Sequence, residues 1–109
     1  MNTKIIKIDP VHIDQEEIEA AGKILINGGL VAFPTETVYG LGGDALNAEA
    51  SKKIYEAKGR PSDNPLIVHI SSVDRMTEIV KEVPPQAYLL AEKFWPGPMT
   101  LIFKKSALV

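Results

Sequence analysis

Short apolar runs alternate with segments of helical period along the chain, which predicts an α/β domain. The apolar runs predict strands at residues 4–8, 30–33, 66–70 and 99–103. The helical segments predict helices at residues 15–27, 48–57, about 72–81 and 84–94. The order β-α-β-α-β-α-α-β, with helices between strands, predicts a twisted, mixed or mostly parallel sheet with flanking helices.

Residues that favour helix ends mark the first two predicted helices. Asp14 is predicted to cap the first helix, which ends at residues 27–29, and Asn47 is predicted to cap the second. Gly59 follows the second helix, where a left-handed residue is common. Between the two helices, residues 30–33 are nearly all apolar, which predicts a strand buried on both faces.

A polar segment follows this strand. Pro34 lacks the N–H that a central strand needs, so the strand is expected to end there. Thr35, Glu36 and Thr37 come next, and the glycines at 40, 42 and 43 predict a flexible turn. Polar side chains between a buried strand and a glycine turn are typical of ligand sites in α/β sheets. The Thr35 hydroxyl either caps its own turn or binds a substrate, with Thr37 a weaker second candidate.

Cations follow within a short span. Residues 52–60 hold four cations against one carboxylate, in a chain whose net charge is −2. Lys58 either complements the C-terminal dipole of its helix or, with Arg60, binds an anion. Asn64 and His69 come shortly after. A single histidine in an apolar strand, predicted to share a face with residues 67 and 71, is more often structural than a ligand.

Composition limits the classes of function. A hydrophobic content of 45% and a charged content of 24% are ordinary for a globular protein. The slightly negative net charge argues against nucleic-acid binding over the whole surface. With no cysteine and two distant histidines, a zinc site or a thiol nucleophile is not expected. The N-terminus lacks a signal-peptide core, and no apolar run approaches the roughly 20 residues that span a bilayer. We expect a cytoplasmic protein without membrane contact.

Three phrases carry a resemblance to a known family. PTETVYGLG (34–42), KGRPSDNPL (58–66) with His69 behind it, and FWPGPMTLIF (94–103) occur in this order. They resemble the Sua5/YciO/YrdC family, the threonylcarbamoyl-AMP synthases of tRNA modification, from about residue 18 to residue 109. The resemblance implies a single YrdC-like domain over residues 1–109. It also implies a domain truncated on its C-terminal side, because the family domain is longer.

The resemblance implies an activity and a site. L-threonine, bicarbonate and ATP, with Mg²⁺, would give threonylcarbamoyl-AMP and pyrophosphate, a nucleotidyltransferase reaction. Proteins of the t6A transferase complex would then modify adenosine 37 of tRNA. By the same resemblance, Thr35 and His69 bind L-threonine, and Lys58, Arg60 and Asn64 bind ATP. No side chain is assigned a catalytic role, since the protein would act by positioning and charge neutralisation.

Two other functions remain open on the sequence. The family has also been described as translation factors, which implies a module that binds double-stranded RNA or tRNA without catalysis. The other alternative is a paralogue that keeps the fold and has lost its specificity for threonine. A truncated sheet would also expose an apolar edge, so we expect self-association, with a homodimer as one form.

Overall fold

The computed structural model describes residues 2–59 and 65–109, which form helices, one strand pair and irregular segments. The chain divides into two compact units, residues 1–60 and 61–109. The first unit contains the helix α1 (Gln15–Ile26), the strands β1 (Val31–Phe33) and β2 (Gly40–Gly42), and the helix α2 (Ala48–Lys58). The prediction of one YrdC-like domain over the whole chain stays a prediction.

The helix α1 begins and ends where its capping residues predict. The Asp14 carboxylate accepts a hydrogen bond from the Glu16 N–H at 3.0 Å, and Asn27 is the C-cap. Gly28 follows with a φ of +84°, a left-handed conformation that glycine adopts without strain. No residue of α1 is buried, and its Ile18 and Ile24 are 42% and 43% exposed.

The strands β1 and β2 form an antiparallel hairpin in which Phe33 pairs with Gly40 and Val31 with Gly42. The two glycines make room for the Phe33 ring. A Cβ built on Gly40 would lie 2.9 Å from the ring atom Cε2, and one on Gly42 would lie 3.0 Å from Cε1. The predicted flexible turn is therefore wrong for residues 40–42, because the glycines form a strand that only small residues allow at this position.

The helix α2 supplies the buried residues of the first unit. Asn47 accepts hydrogen bonds from the N–H groups of Glu49 and Ala50, at 3.0 and 3.3 Å, which confirms it as the N-cap. Ala50 and Ile54 are the buried residues of α2. A Cβ built on Gly43, just after β2, would lie 3.3 Å from Ala50 Cβ and 3.3 Å from Ile54 Cδ1. The end of the hairpin thus lies directly against this face of α2.

The second unit is built from short helices and a paired C-terminal segment. A 3₁₀ turn at Val73–Arg75 leads into α3 (Met76–Ile79), and Pro85 begins α4 (Pro85–Phe94). Its buried residues are apolar and lie on these helices or just after α3: Met76, Val80, Ala87 and Ala91. The C-terminal segment pairs with the end of α3, where the Ser106 N–H donates to the Ile79 carbonyl at 2.9 Å.

Several predicted strands are wrong. Residues 4–8, 66–70 and 99–103 form no strand in the structure, and the one described strand pair is antiparallel, so the mostly parallel pairing is not found. The strand 30–33 is present but not buried on both faces, since Phe33 is 38% exposed. Apolar β-branched runs fit a pleated surface, but a strand forms only where a neighbouring strand accepts its hydrogen bonds. The described residues provide such a neighbour only for β1 and β2.

The helices of the described residues are short, and α1, with 12 residues, is the longest of them. None has the length and apolar character that crossing a bilayer would require.

Candidate functional site

The Thr35 hydroxyl organises the loop between β1 and β2. It donates a hydrogen bond to the Val38 carbonyl and accepts one from the Thr37 N–H at 3.2 Å. This is the turn-capping role that a threonine after a strand often takes. Its role towards a ligand stays a prediction, but the turn places the residue in a defined loop rather than in a free segment.

All six residues of this loop, 34–39, are exposed. The carboxylate of Glu36 and the hydroxyl of Thr37 are therefore accessible, as is Tyr39, whose side chain is 75% exposed. An exposed Val38, at 73%, lies beside it. The loop thus presents polar, aromatic and apolar groups to solvent at the turn end of the hairpin.

Lys58 is the last residue of α2 and is exposed. Its position in the last turn complements the negative end of the helix dipole, as the structural alternative predicts. The only ion pair within residues 2–59 and 65–109 joins Arg75 and Glu78 at 3.4 Å, so Lys58 has no salt bridge there. The ammonium group is available to an anion. Arg60 and Asn64, the other predicted ATP contacts, lie outside the described residues.

Lys53 has a role that the sequence analysis missed. Its ammonium group donates a hydrogen bond to the carbonyl of Gly28 at 3.0 Å, across 25 positions of the chain. In the sequence, nothing next to Lys53 distinguishes it from its neighbour Lys52. The signal that could have separated them is the free carbonyl end of α1, which attracts a cation.

His69 lies in the second unit and is exposed. Its Nδ1 atom is 3.2 Å from the Ile67 carbonyl oxygen, a local contact within an irregular segment. The strand that was predicted to align His69 with residues 67 and 71 is absent, so that alignment is wrong. Thr35 and Lys58, by contrast, both lie in the first unit. The ligand role of His69 stays a prediction.

The described ranges hold no group of three or more His, Asp or Glu side chains that could bind a metal ion. The predicted site residues that the structure describes in the first unit are Thr35, in its turn, and Lys58, at the end of α2. Hydroxyl and ammonium groups of this kind can bind polar small molecules and phosphates.

Comparisons with known proteins identify relatives of this chain. The model of the Sua5/YciO/YrdC family, described as telomere recombination, matches residues 23–109. The threonylcarbamoyl-AMP synthase of Pyrococcus abyssi is 54% identical over 97 residues, which cover 89% of this chain and 28% of that protein. The Bacillus subtilis enzyme of the same name is 51% identical over 94 residues, 86% of this chain and 27% of that protein.

A solved structure extends the similarity to the backbone. The crystal structure of P. abyssi Sua5 complexed with L-threonine matches with a TM-score of 0.85 and 53% identity, covering 90% of this chain and 29% of that one. The chain therefore spans less than a third of the length of these relatives. The α/β fold class is confirmed. The extent and identity of these matches show that the chain belongs to the Sua5/YciO/YrdC family.

Proposed function

We propose that this protein is an L-threonylcarbamoyladenylate synthase, which converts L-threonine, bicarbonate and ATP into threonylcarbamoyl-AMP and pyrophosphate. The observation that carries the proposal is the 53% identity, over 90% of this chain, to a structure complexed with L-threonine. Since the chain spans 28% of the P. abyssi relative, the role proposed for its own residues is substrate binding. The product would pass to the t6A transferase proteins for tRNA modification.

The proposed roles follow the chemistry of each group. Thr35 contributes to the L-threonine site, where its loop is exposed and its hydroxyl lies at a fixed turn. Lys58 binds the phosphates of ATP as a mobile point charge, and Arg60 offers them a planar fork. Asn64 and His69 are proposed on the family resemblance alone, as a nucleotide contact and a threonine contact. Mg²⁺ enters with ATP as part of the substrate.

The reaction needs positioning more than a protein nucleophile. The amine of L-threonine attacks the carbon of bicarbonate, which loses one oxygen as water, and a carbamate forms. A carbamate oxygen then attacks the α-phosphorus of ATP. The bond from the α-phosphorus to the bridging oxygen breaks, and pyrophosphate leaves with its electron pair. Cations near the phosphates offset the charge that develops on this leaving group. Lys58, exposed and without a described ion pair, suits that task.

An amide NMR titration of the chain with L-threonine, then with ATP, tests the proposal. We expect L-threonine to shift the amides of residues 35–39, and serine or valine to shift them far less. We expect ATP to shift the amides at the end of α2. A dispersed spectrum whose amide shifts change with neither ligand would contradict substrate binding by this chain.

Single substitutions assign the roles. Lys58→Ala and Arg60→Ala are each expected to weaken ATP binding by more than about 1 kcal/mol, the scale of one charge-assisted contact. Lys52→Ala is the matched control, because Lys52 is an exposed lysine of the same helix. Calorimetric titration measures all three. An ATP affinity as high in Lys58→Ala as in the unmodified chain would remove Lys58 from the site.

The amide NMR titration, repeated with tRNA, distinguishes the proposed function from RNA binding. Binding of tRNA should weaken steeply as salt is raised, because phosphate contacts release counterions. Binding of L-threonine at a small site should respond far less. Shifts produced by tRNA at low salt, with none from L-threonine, would favour the binding module over the synthase.

A further inference from the structure

The hydrogen bond between Lys53 and Gly28 joins two elements of the first unit. Gly28 is buried and directly follows Asn27, the C-cap of α1, while Lys53 lies in the middle of α2. The ammonium nitrogen is 3.0 Å from the carbonyl oxygen. A buried carbonyl needs a hydrogen-bond partner, and a cation also complements the negative end of α1. The contact is therefore favourable in structural terms alone.

The hydrogen bond between Lys53 and Gly28 also connects the two segments that carry the predicted ligand contacts. Gly28 lies three residues before β1, and β1 leads directly into the loop that the Thr35 hydroxyl organises. Lys53 lies five residues before Lys58 on the same helix. One end of the hydrogen bond thus belongs to the segment that leads to Thr35, and the other end belongs to the helix that carries Lys58.

The hairpin itself is short, which makes such a connection useful. The strands β1 and β2 pair over three residues each. The end of β2 lies against α2 through Gly43, which a Cβ would bring within 3.3 Å of Ala50 and Ile54. Leu30, just before β1, lies against the same position, since its Cδ2 atom would be 3.1 Å from that Cβ. The hydrogen bond of Lys53 adds a polar contact between α2 and the segment that leads into β1.

We propose that Lys53 is a positioning residue: by holding the Gly28 carbonyl, it sets the placement of the Thr35 loop relative to Lys58. The inference rests on the proposed function, in which the Thr35 loop binds L-threonine and Lys58 binds ATP. The neighbouring Lys52, which is exposed and whose side chain makes no hydrogen bond among the described residues, is the natural control. If the loss of any lysine charge on α2 were the cause of an effect, variants of Lys52 and Lys53 would show it equally.

The first measurement needs no ligand. The chain contains no cysteine, so Glu56→Cys on the exposed side of α2 gives one site for a nitroxide label. Paramagnetic relaxation of the amides of residues 35–39 then reports their distance from α2. We expect Lys53→Met to change this relaxation, Lys53→Arg to keep it near the original values, and Lys52→Met to leave it unchanged. Unchanged relaxation in a folded Lys53→Met protein would overturn the proposal.

The second measurement concerns the ligands. In the L-threonine-bound chain, Lys53→Met is expected to lower ATP affinity by about fivefold or more, the lower range for coupling between sites. Lys52→Met should leave it within twofold. A purely structural Lys53 would lower the unfolding free energy without changing the affinity of the folded protein, and that result would also overturn the proposal.

The two measurements keep the two proposals distinguishable. If the unmodified chain binds neither ligand, the proposed function fails, and the relaxation data still decide whether Lys53 positions the loop. If Lys53→Met does not give the amide dispersion of the unmodified chain, Lys53→Gln replaces it. The Gln amide is neutral and shorter than the lysine side chain, so it removes the contact with a smaller loss of polarity.

Discussion

The helices of the two units begin in different ways. In the first unit, Asp14 caps α1 and Asn47 caps α2 through side-chain hydrogen bonds of 3.0 to 3.3 Å. In the second unit, Ser72, Arg75 and Pro84 precede the helical segments and make no such bond. A side-chain cap satisfies N–H groups that the helix itself leaves free. The helices of the first unit therefore begin at a side-chain cap. In the second unit α4 begins at Pro85, which has no N–H to satisfy, and α3 begins without a side-chain cap.

The second unit is held by contacts between distant segments. Lys81 donates its N–H to the Lys104 carbonyl at 2.8 Å, and the Ser106 hydroxyl donates to the Glu78 carbonyl at 2.8 Å. These bonds join the end of α3 to the C-terminal segment. The difference shows that α3, a four-residue helix without a side-chain cap, is joined to a distant segment, and isolated helices of that length are marginal.

The largest effect is expected at the buried apolar side chains, the feature that the two units have in common. Ile54→Ala in the first unit and Met76→Ala in the second should each lower the free energy of unfolding by about 2–5 kcal/mol. Both side chains are nearly covered, at 6% and 1% exposed. Urea unfolding followed by circular dichroism measures the loss. Ile102→Ala is the control, because Ile102 is 95% exposed and should change stability little.

A medium effect should separate the two units. Asn47→Ala is expected to lower the free energy of unfolding by about 0.5–2 kcal/mol, because it removes the cap of α2. Asn47→Asp keeps an acceptor and should retain most of the stability. Ser72→Ala in the second unit should have little effect, since Ser72 makes no capping bond. Equal losses for Asn47→Ala and Ser72→Ala would break the comparison.

The smallest effects concern two glycines of the first unit, with opposite signs. Gly59 has a φ of +64°, so Gly59→Ala should destabilise the chain by about 1 kcal/mol. Gly22 lies inside α1 with open space around its Cβ position, so Gly22→Ala should stabilise it by about 0.5–1 kcal/mol. Thermal unfolding of both variants checks the signs. A stabilising Gly59→Ala would mean that α2 ends differently in solution.

Sequence patterns predicted the helices far better than the strands. The helix α1 was predicted one residue too long, α2 one residue too short, and α4 was predicted to end at the observed Phe94. The hydrogen bonds and caps of a helix join residues three or four apart, so a short window of sequence contains the cause. A strand needs a partner from elsewhere in the chain. Of the four predicted strands, only residues 30–33 have one among the described residues.

The features of the candidate site were likewise predicted where they depend on neighbouring residues and missed where they depend on distant ones. The polar loop after β1 and the lysine at the end of α2 were found from residue order, and three motifs in sequence identified the family. Thr35 as the organiser of its own turn was one of two stated alternatives, because that contact joins residues three apart. The packing of Phe33 over two glycines was not predicted, since it needs the antiparallel pairing of β1 with β2.

By itself, the sequence determined the family, the helices with their caps, and the candidate loop and cations, because these depend on residue identity and on neighbours a few positions away. The partners of the strands, the irregular segment around His69 and the contact of Lys53 with Gly28 depended on the tertiary structure. Each of these features depends on which distant segments of the chain pair or pack with one another. The local sequence pattern is compatible with several such pairings, and the folded structure has one of them.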